Sequence, residues 1–183
     1  MSIRKEGYGY LLVFILTIPM ANWMIGNLGT VCAKNSPCLI PVGPGVMAPS
    51  GVLMIGLAFV LRDLVQRRLG KIWAVGAIVV GAILSAIIAP PALVLASGAA
   101  FFVSELADFA VYTPLQRKRL VLAVFLSGIV GLVVDSILFL QLAVGSLDHL
   151  TGQIVGKGWM IVIALPIIWW IRQRDEKAGL TPA

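Results

Sequence analysis

The sequence predicts an all-α, polytopic membrane protein, a single transmembrane domain of six helices over residues 1–183. Three observations carry this. First, the 183 residues are 60% hydrophobic and 12% charged, with a mean hydropathy of +1.00, whereas soluble domains average roughly 45–50% apolar and about 25% charged residues. A soluble fold this small has too little interior to hide so much apolar surface. Second, the apolar residues form unbroken runs able to cross a hydrocarbon core roughly 30 Å thick, not the alternating strands of an outer-membrane barrel. Third, Lys and Arg gather in short clusters between those runs, as in a chain oriented by cytoplasmic positive charge. Disorder is excluded by the same composition. The net charge of +6 and pI near 9.8 therefore report topology. No nucleic-acid partner is expected, because no aromatic-basic platform lies outside the apolar runs.

The six runs are 7–26, 50–69, 72–89, 91–113, 120–144 and 153–171. The first follows Arg4 and Lys5 like a signal peptide, but it is long, lacks an Ala-x-Ala site and ends in Asn-Trp-Met-Ile-Gly. It reads as an uncleaved span. Arg67, Arg68 and Lys71 join the second span to the third; Arg117, Lys118 and Arg119 join the fourth to the fifth; Arg172, Arg174 and Lys177 follow the sixth. The other side carries Lys34, Asp148 and His149. Both termini are therefore expected in the cytoplasm, with an even number of crossings of the cell inner membrane. Trp73, Tyr112, Trp169 and Trp170 mark inner ends of spans and Trp23 an outer one, as an aromatic belt does. Gly152 and Gly156 form a small-xxx-small pair that lets the sixth helix approach a neighbour.

Residues 27–49 break the pattern of short connections. They contain Cys32-Ala-Lys-Asn-Ser-Pro-Cys38, then Pro41-Val-Gly-Pro-Gly, and end at Pro49. Such backbone cannot continue a helix. It reads either as a lid or re-entrant segment over a site or as an ordinary outer loop. Cys32 and Cys38 face an oxidising compartment in this orientation, which makes them a candidate disulfide. Two cysteines without a converging His do not build a tetrahedral metal site, so no metal is expected.

Charge inside a bilayer costs at least about 2.5–3.5 kcal/mol per residue and marks function by default. From a rise of 1.5 Å per residue, Asn22 and Asp135 lie roughly 22 Å above the inner face, and Lys157 about 6–8 Å below the outer one. These three share a layer. A deeper layer holds Arg62, Asp63 and Gln66 on the second helix, about 18–24 Å below the outer surface, and Glu105 and Asp108 on the fourth, about 21–26 Å below it. Glu105, Asp108 and Tyr112 share one helix face, and Arg62 beside them makes a cluster of opposite charges. Snorkelling at the inner boundary is the competing account of Arg62, Asp63, Gln66 and Asp108. Asp135 is too short and too deep for it, although a purely structural pair with Lys157 is the alternative there. Ser127, Gly131 and Asp135 fall on one face, a stripe turned to the bundle.

The single histidine lies in a loop, and the chain has no Gly-x-Ser-x-Gly elbow, P-loop or His-x-x-x-His pair. Carboxylates, an amide and an amine suit the binding of a polar heterocycle better than bond cleavage, so no enzyme activity and no cofactor are expected. At these residues the chain resembles the vitamin uptake transporter family, whose characterised members carry queuosine precursors. The resemblance rests on Asn22 near the end of the first helix, Asp63-Leu64, Glu105-Leu-Ala-Asp108 leading into Val111-Tyr112, Asp135-Ser136-Ile-Leu-Phe139, and Lys157 with Pro166. It implies a six-helix fold similar to the substrate-binding subunits of energy-coupling-factor transporters. It also implies import of 7-cyano-7-deazaguanine or 7-aminomethyl-7-deazaguanine. On that reading Asp135 or Glu105 accepts from the N–H edge of the base and Lys157 or Asn22 donates to its carbonyl. Trp23, Phe139 or Trp159 stacks on the ring, and Arg62, Asp63, Gln66 and Asp108 gate or relay protons. The expected partners are the deazapurine and membrane lipid, with a homo-oligomer or energising subunits as further candidates. A binding subunit that depends on an ATP-driven partner, or a structural membrane protein, are the alternatives.

Overall fold

The computed structural model describes residues 3–32, 37–89, 91–143 and 145–180. Among them are six long helices: α1 (Ile3–Asn27), α2 (Val52–Leu69), α3 (Lys71–Ile88), α4 (Val94–Leu115), α5 (Leu120–Ala143) and α6 (Leu150–Lys177). Five are long and apolar enough to cross a membrane. The chain is an all-α polytopic membrane protein, with one addition: an antiparallel hairpin, β1 (Leu39–Gly43) and β2 (Val46–Pro49), between α1 and α2.

The exception among the six is α2, which carries Arg62, Asp63, Arg67 and Arg68. It is buried continuously from Ala58 to Arg68 and touches all five other helices. A helix wrapped by others is released from the demand for apolar side chains that lipid makes on a peripheral one. The peripheral helices show the converse, exposing Leu12, Leu16, Ile72, Ile87, Leu95 and Ile163 on their outer faces. The polar residues of the spans point inward, among an apolar core, and the outer faces are apolar.

Ion pairs place both ends of the chain together. Asp175 on α6 meets Arg67 and Arg68 at the end of α2, at 2.7 and 2.8 Å, and Glu6 on α1 meets Arg68 and Arg174 at 3.2 and 2.7 Å. This basic end lies opposite the hairpin end. The same pairs explain why α6 runs six residues past the expected boundary of 171: its polar last turns are held by α2. At α4 the expected start of 91 moves to Val94, because Pro91–Leu93 forms one turn of 3-10 helix.

In the segment expected as a lid or an ordinary loop, Leu39–Pro49 form the hairpin, and described residues on either side tie it to the bundle. Pro44 presets the turn and Gly45, at φ +70, takes its left-handed position, closing the strands. Cys32 and Cys38 are joined by a disulfide, while Cys38 N–H donates to the Ile25 carbonyl at 2.8 Å and Ser50 N–H to the Cys38 carbonyl at 3.0 Å. Lys34 lies outside the described residues. The Gly152–Gly156 pair works as a contact surface for this hairpin and α2: a Cβ at Gly152 would collide with the Met47 carbonyl, and one at Gly156 with the Val52 side chain.

Candidate functional site

At the hairpin end, α5 and α6 present polar groups one helical turn apart. Lys157 Nζ donates to Asp135 Oδ2 at 2.6 Å, to Ser136 Oγ at 2.8 Å and to Gln153 Oε1. An ammonium has three N–H donors, so all of them are engaged. Ser136 in turn donates to the Leu132 carbonyl at 2.6 Å. The other carboxylate oxygen, Asp135 Oδ1, receives only a long bond from Ser104 Oγ at 3.4 Å and is the open acceptor of the group. Lys157 is 1% and Asp135 7% exposed.

Beside them is a cavity of about 60 Å³, lined by Asp135, Lys157, Gln153, Asn22, Ser85 and Ser97 together with Phe101 and Phe139. At roughly 10–15 Å³ per water position this is room for a few waters. Asn22 Nδ2 donates back to the Ile18 carbonyl at 3.0 Å, leaving its second N–H and its oxygen for the cavity. A second cavity of about 320 Å³ lies against the hairpin and His149, and Ile25, Pro49, Phe139 and Gln153 line both. These four residues are the partition between an outer vestibule and the inner, polar chamber.

Deeper, Arg62 is fully buried at the centre of a second group. Its Nε donates to Glu105 Oε2 at 3.1 Å and its Nη1 to Gln66 Oε1 at 3.2 Å. Nη1 also pairs with Asp63 Oδ1 at 2.8 Å, and Nη2 with Asp108 Oδ1. The rings of Phe109 and Tyr112 flank the guanidinium, their centroids 5.8 and 5.6 Å from Cζ. Ser127 Oγ donates to Asp63 Oδ2 at 3.1 Å, and Gln66 Nε2 donates to Thr113 Oγ1 at 2.9 Å. Every member of the deeper layer thus turns inward to a partner instead of snorkelling to the boundary.

The two groups adjoin. On α4, consecutive residues serve different groups: Ser104 reaches Asp135 and Glu105 reaches Arg62. On α5, the face formed by Ser127, Gly131 and Asp135 runs from one to the other, with Gly131 against Phe59 and Asp108.

Of the residues singled out for the base, Asn22, Asp135, Lys157 and Phe139 meet at the cavity. Glu105 does not line it, because the guanidinium holds its carboxylate one layer down. Trp23 and Trp159 do not line it either. Trp23 is 55% exposed on an outer groove with Leu16, Pro19 and Met20. Trp159 is 50% exposed, and its indole N–H donates to the Val42 carbonyl at 2.7 Å, clamping β1 to α6. Sequence reasoning missed Gln153, Phe101, Ser85 and Ser97. Gln153 carried a signal, since it stands four residues before Lys157 on the same helix face, and Phe101 stands likewise before Glu105. The serines carried none.

Residues 89–171 match the family model described as "Putative vitamin uptake transporter". No curated protein and no solved structure matches the chain. The matched segment spans α4, α5 and most of α6 and so contains Glu105, Asp108, Asp135, Phe139, Gln153 and Lys157. Over these residues the chain is similar to the vitamin uptake transporter family.

Proposed function

We propose that this chain imports a queuosine precursor, 7-cyano-7-deazaguanine or 7-aminomethyl-7-deazaguanine, across the cell inner membrane, with both termini in the cytoplasm. The observation that carries the reading is the inner chamber, where an open carboxylate oxygen, two amides and two hydroxyls face one another beside the Phe101 and Phe139 rings. A guanine-like edge offers neighbouring N–H donors, which Asp135 Oδ1 accepts. Its carbonyl needs a donor. Because the Lys157 donors are engaged, the Gln153 and Asn22 amides take that part, and Lys157 instead fixes the orientation of the Asp135 carboxylate. Phe139 supplies the stacking surface. The chamber holds only a few waters as it stands, so a bicyclic solute enters when the Phe139–Gln153 partition parts toward the vestibule.

Titration of the purified protein with 7-cyano-7-deazaguanine, 7-aminomethyl-7-deazaguanine and guanine tests the ligand. Saturable binding of a deazaguanine that Asp135→Asn weakens by about tenfold or more, in a variant that melts like the wild type, is the expected result. Undiminished binding by that variant would remove the chamber from consideration. Uptake into protein-only vesicles separates a self-sufficient carrier from a binding subunit that needs an ATP-driven partner.

A further inference from the structure

We infer that the Arg62 cluster is a proton-binding site whose occupancy drives solute movement, a reading that rests on the chain being a transporter. The charges do not balance. One guanidinium faces three carboxylates, Asp63 from α2 and Glu105 and Asp108 from α4, and all four side chains are at most 1% exposed. Among the described residues no other cation pairs with them. On α2, Arg67 and Arg68 are turned to Asp175 of α6 and, for Arg68, Glu6 of α1. On α6, Lys157 is engaged by Asp135 of α5. The only titratable side chain of α3 is Lys71, at its first residue, and α5 adds the Ser127 hydroxyl and, from the adjoining group, the Asp135 carboxylate, a further negative charge. Fully ionised, the cluster would hold two negative charges in excess, buried and uncompensated, which is costly.

The oxygen atoms indicate what fills the deficit. Each carboxylate uses one oxygen on the guanidinium. The second oxygen of Asp63 accepts from Ser127, but Glu105 Oε1 and Asp108 Oδ2 have no hydrogen-bond partner among the described residues. Nor does Tyr112 Oη, on the ring that flanks Arg62 and wholly buried. A buried polar atom without a partner is costly, and a carboxyl that takes up a proton is neutral, so its second oxygen no longer buries a negative charge. A metal ion does not fit, since the guanidinium occupies the centre, and no set of three ligating side chains converges among the described residues. The step is the protonation of a carboxylate to a neutral carboxyl, with no redox change. Its connection to the solute is short: Ser104, bonded to Asp135 in the chamber, is the neighbour of Glu105. A proton on Glu105 or Asp108 frees part of the guanidinium and shifts α4, on which both groups depend.

The test uses the full chain in lipid vesicles and two readouts. Infrared spectra of the solute-free protein at neutral pH report neutral carboxyl groups directly. A protonated-carboxyl band is expected, weakened in Asp108→Asn and in Glu105→Gln; both variants still leave Arg62 two carboxylates and should fold. Radiolabelled 7-cyano-7-deazaguanine then reports coupling. With one proton per neutral solute, an inside-alkaline gradient of one pH unit should accumulate label about tenfold. A protonophore should abolish this, and Asp108→Asn should lose accumulation while keeping solute counterflow. Absence of the carboxyl band, accumulation that follows a sodium gradient instead, or full accumulation by both variants would overturn the inference while leaving transport intact. The carboxyl band without any counterflow by the wild type would instead overturn the transport reading, and the coupling role with it.

Discussion

The two buried polar groups solve the same electrostatic problem with opposite stoichiometry. Around Lys157 one ammonium meets one carboxylate and two neutral acceptors, so charge is balanced and an oxygen of Asp135 is left facing a cavity. Around Arg62 one guanidinium meets three carboxylates, none of which lines the two cavities at the hairpin end, and partnerless oxygens stand in its shell. A balanced pair beside an opening can recognise a neutral polar solute without a net change of charge. An unbalanced buried cluster relieves its excess charge by taking up a proton. On the proposed reading, this difference in charge count divides the labour between recognition and driving force.

Substitutions break this comparison in a definite order. Arg62→Met leaves three carboxylates buried with no counter-ion, and removing one partner of a buried pair costs about 3–5 kcal/mol. Thermal melting in detergent should show the largest loss of the series, with little folded protein recovered. Lys157→Met leaves one carboxylate unpaired at the wall of a polar chamber, so its cost should be smaller, about 2–4 kcal/mol. The double variant Lys157→Met with Asp135→Leu should regain most of that stability, since an ion pair replaced by apolar groups is often neutral, yet bind no deazaguanine. Equal melting of the single and double variants would show that the pair is not coupled. Smallest of all, Trp159→Phe removes only the N–H donated to the Val42 carbonyl. It should cost about 1 kcal/mol and leave the binding constant unchanged, because the indole stands outside the chamber. A large loss of affinity in this variant would return Trp159 to the site.

How much of this was legible in the chain depends on which force is at work. The spans were legible because the transfer of apolar side chains into hydrocarbon is large and adds along a run. Even α2 could be placed, although it alone of the six helices is not apolar enough along its length to count as a membrane span. The depth of Asp135 and Lys157 followed from helical rise alone, which brought them to one layer. The hairpin was written in Pro44-Gly45 between Val42 and Val46, but surrounding prolines hid it as generic loop. Trp23 and Trp159 show where such reasoning stops. Both stand at the correct height for the chamber, but each lies on the far side of its helix, and height carries no information about rotation.

The order of the helices, the end that gathers positive charge and the roll of polar residues too deep for water are determined by the chain alone, because they depend on free energies that each segment pays to the bilayer on its own. Which carboxylate answers which cation is decided only by the packed bundle. Whether Glu105 serves the chamber or the guanidinium turns on a rotation of α4 about its axis, and that rotation is set jointly by every neighbour it touches. Short-range pairing in a medium of low dielectric constant changes steeply over an ångström or two, a distance that no count of residues along a helix resolves.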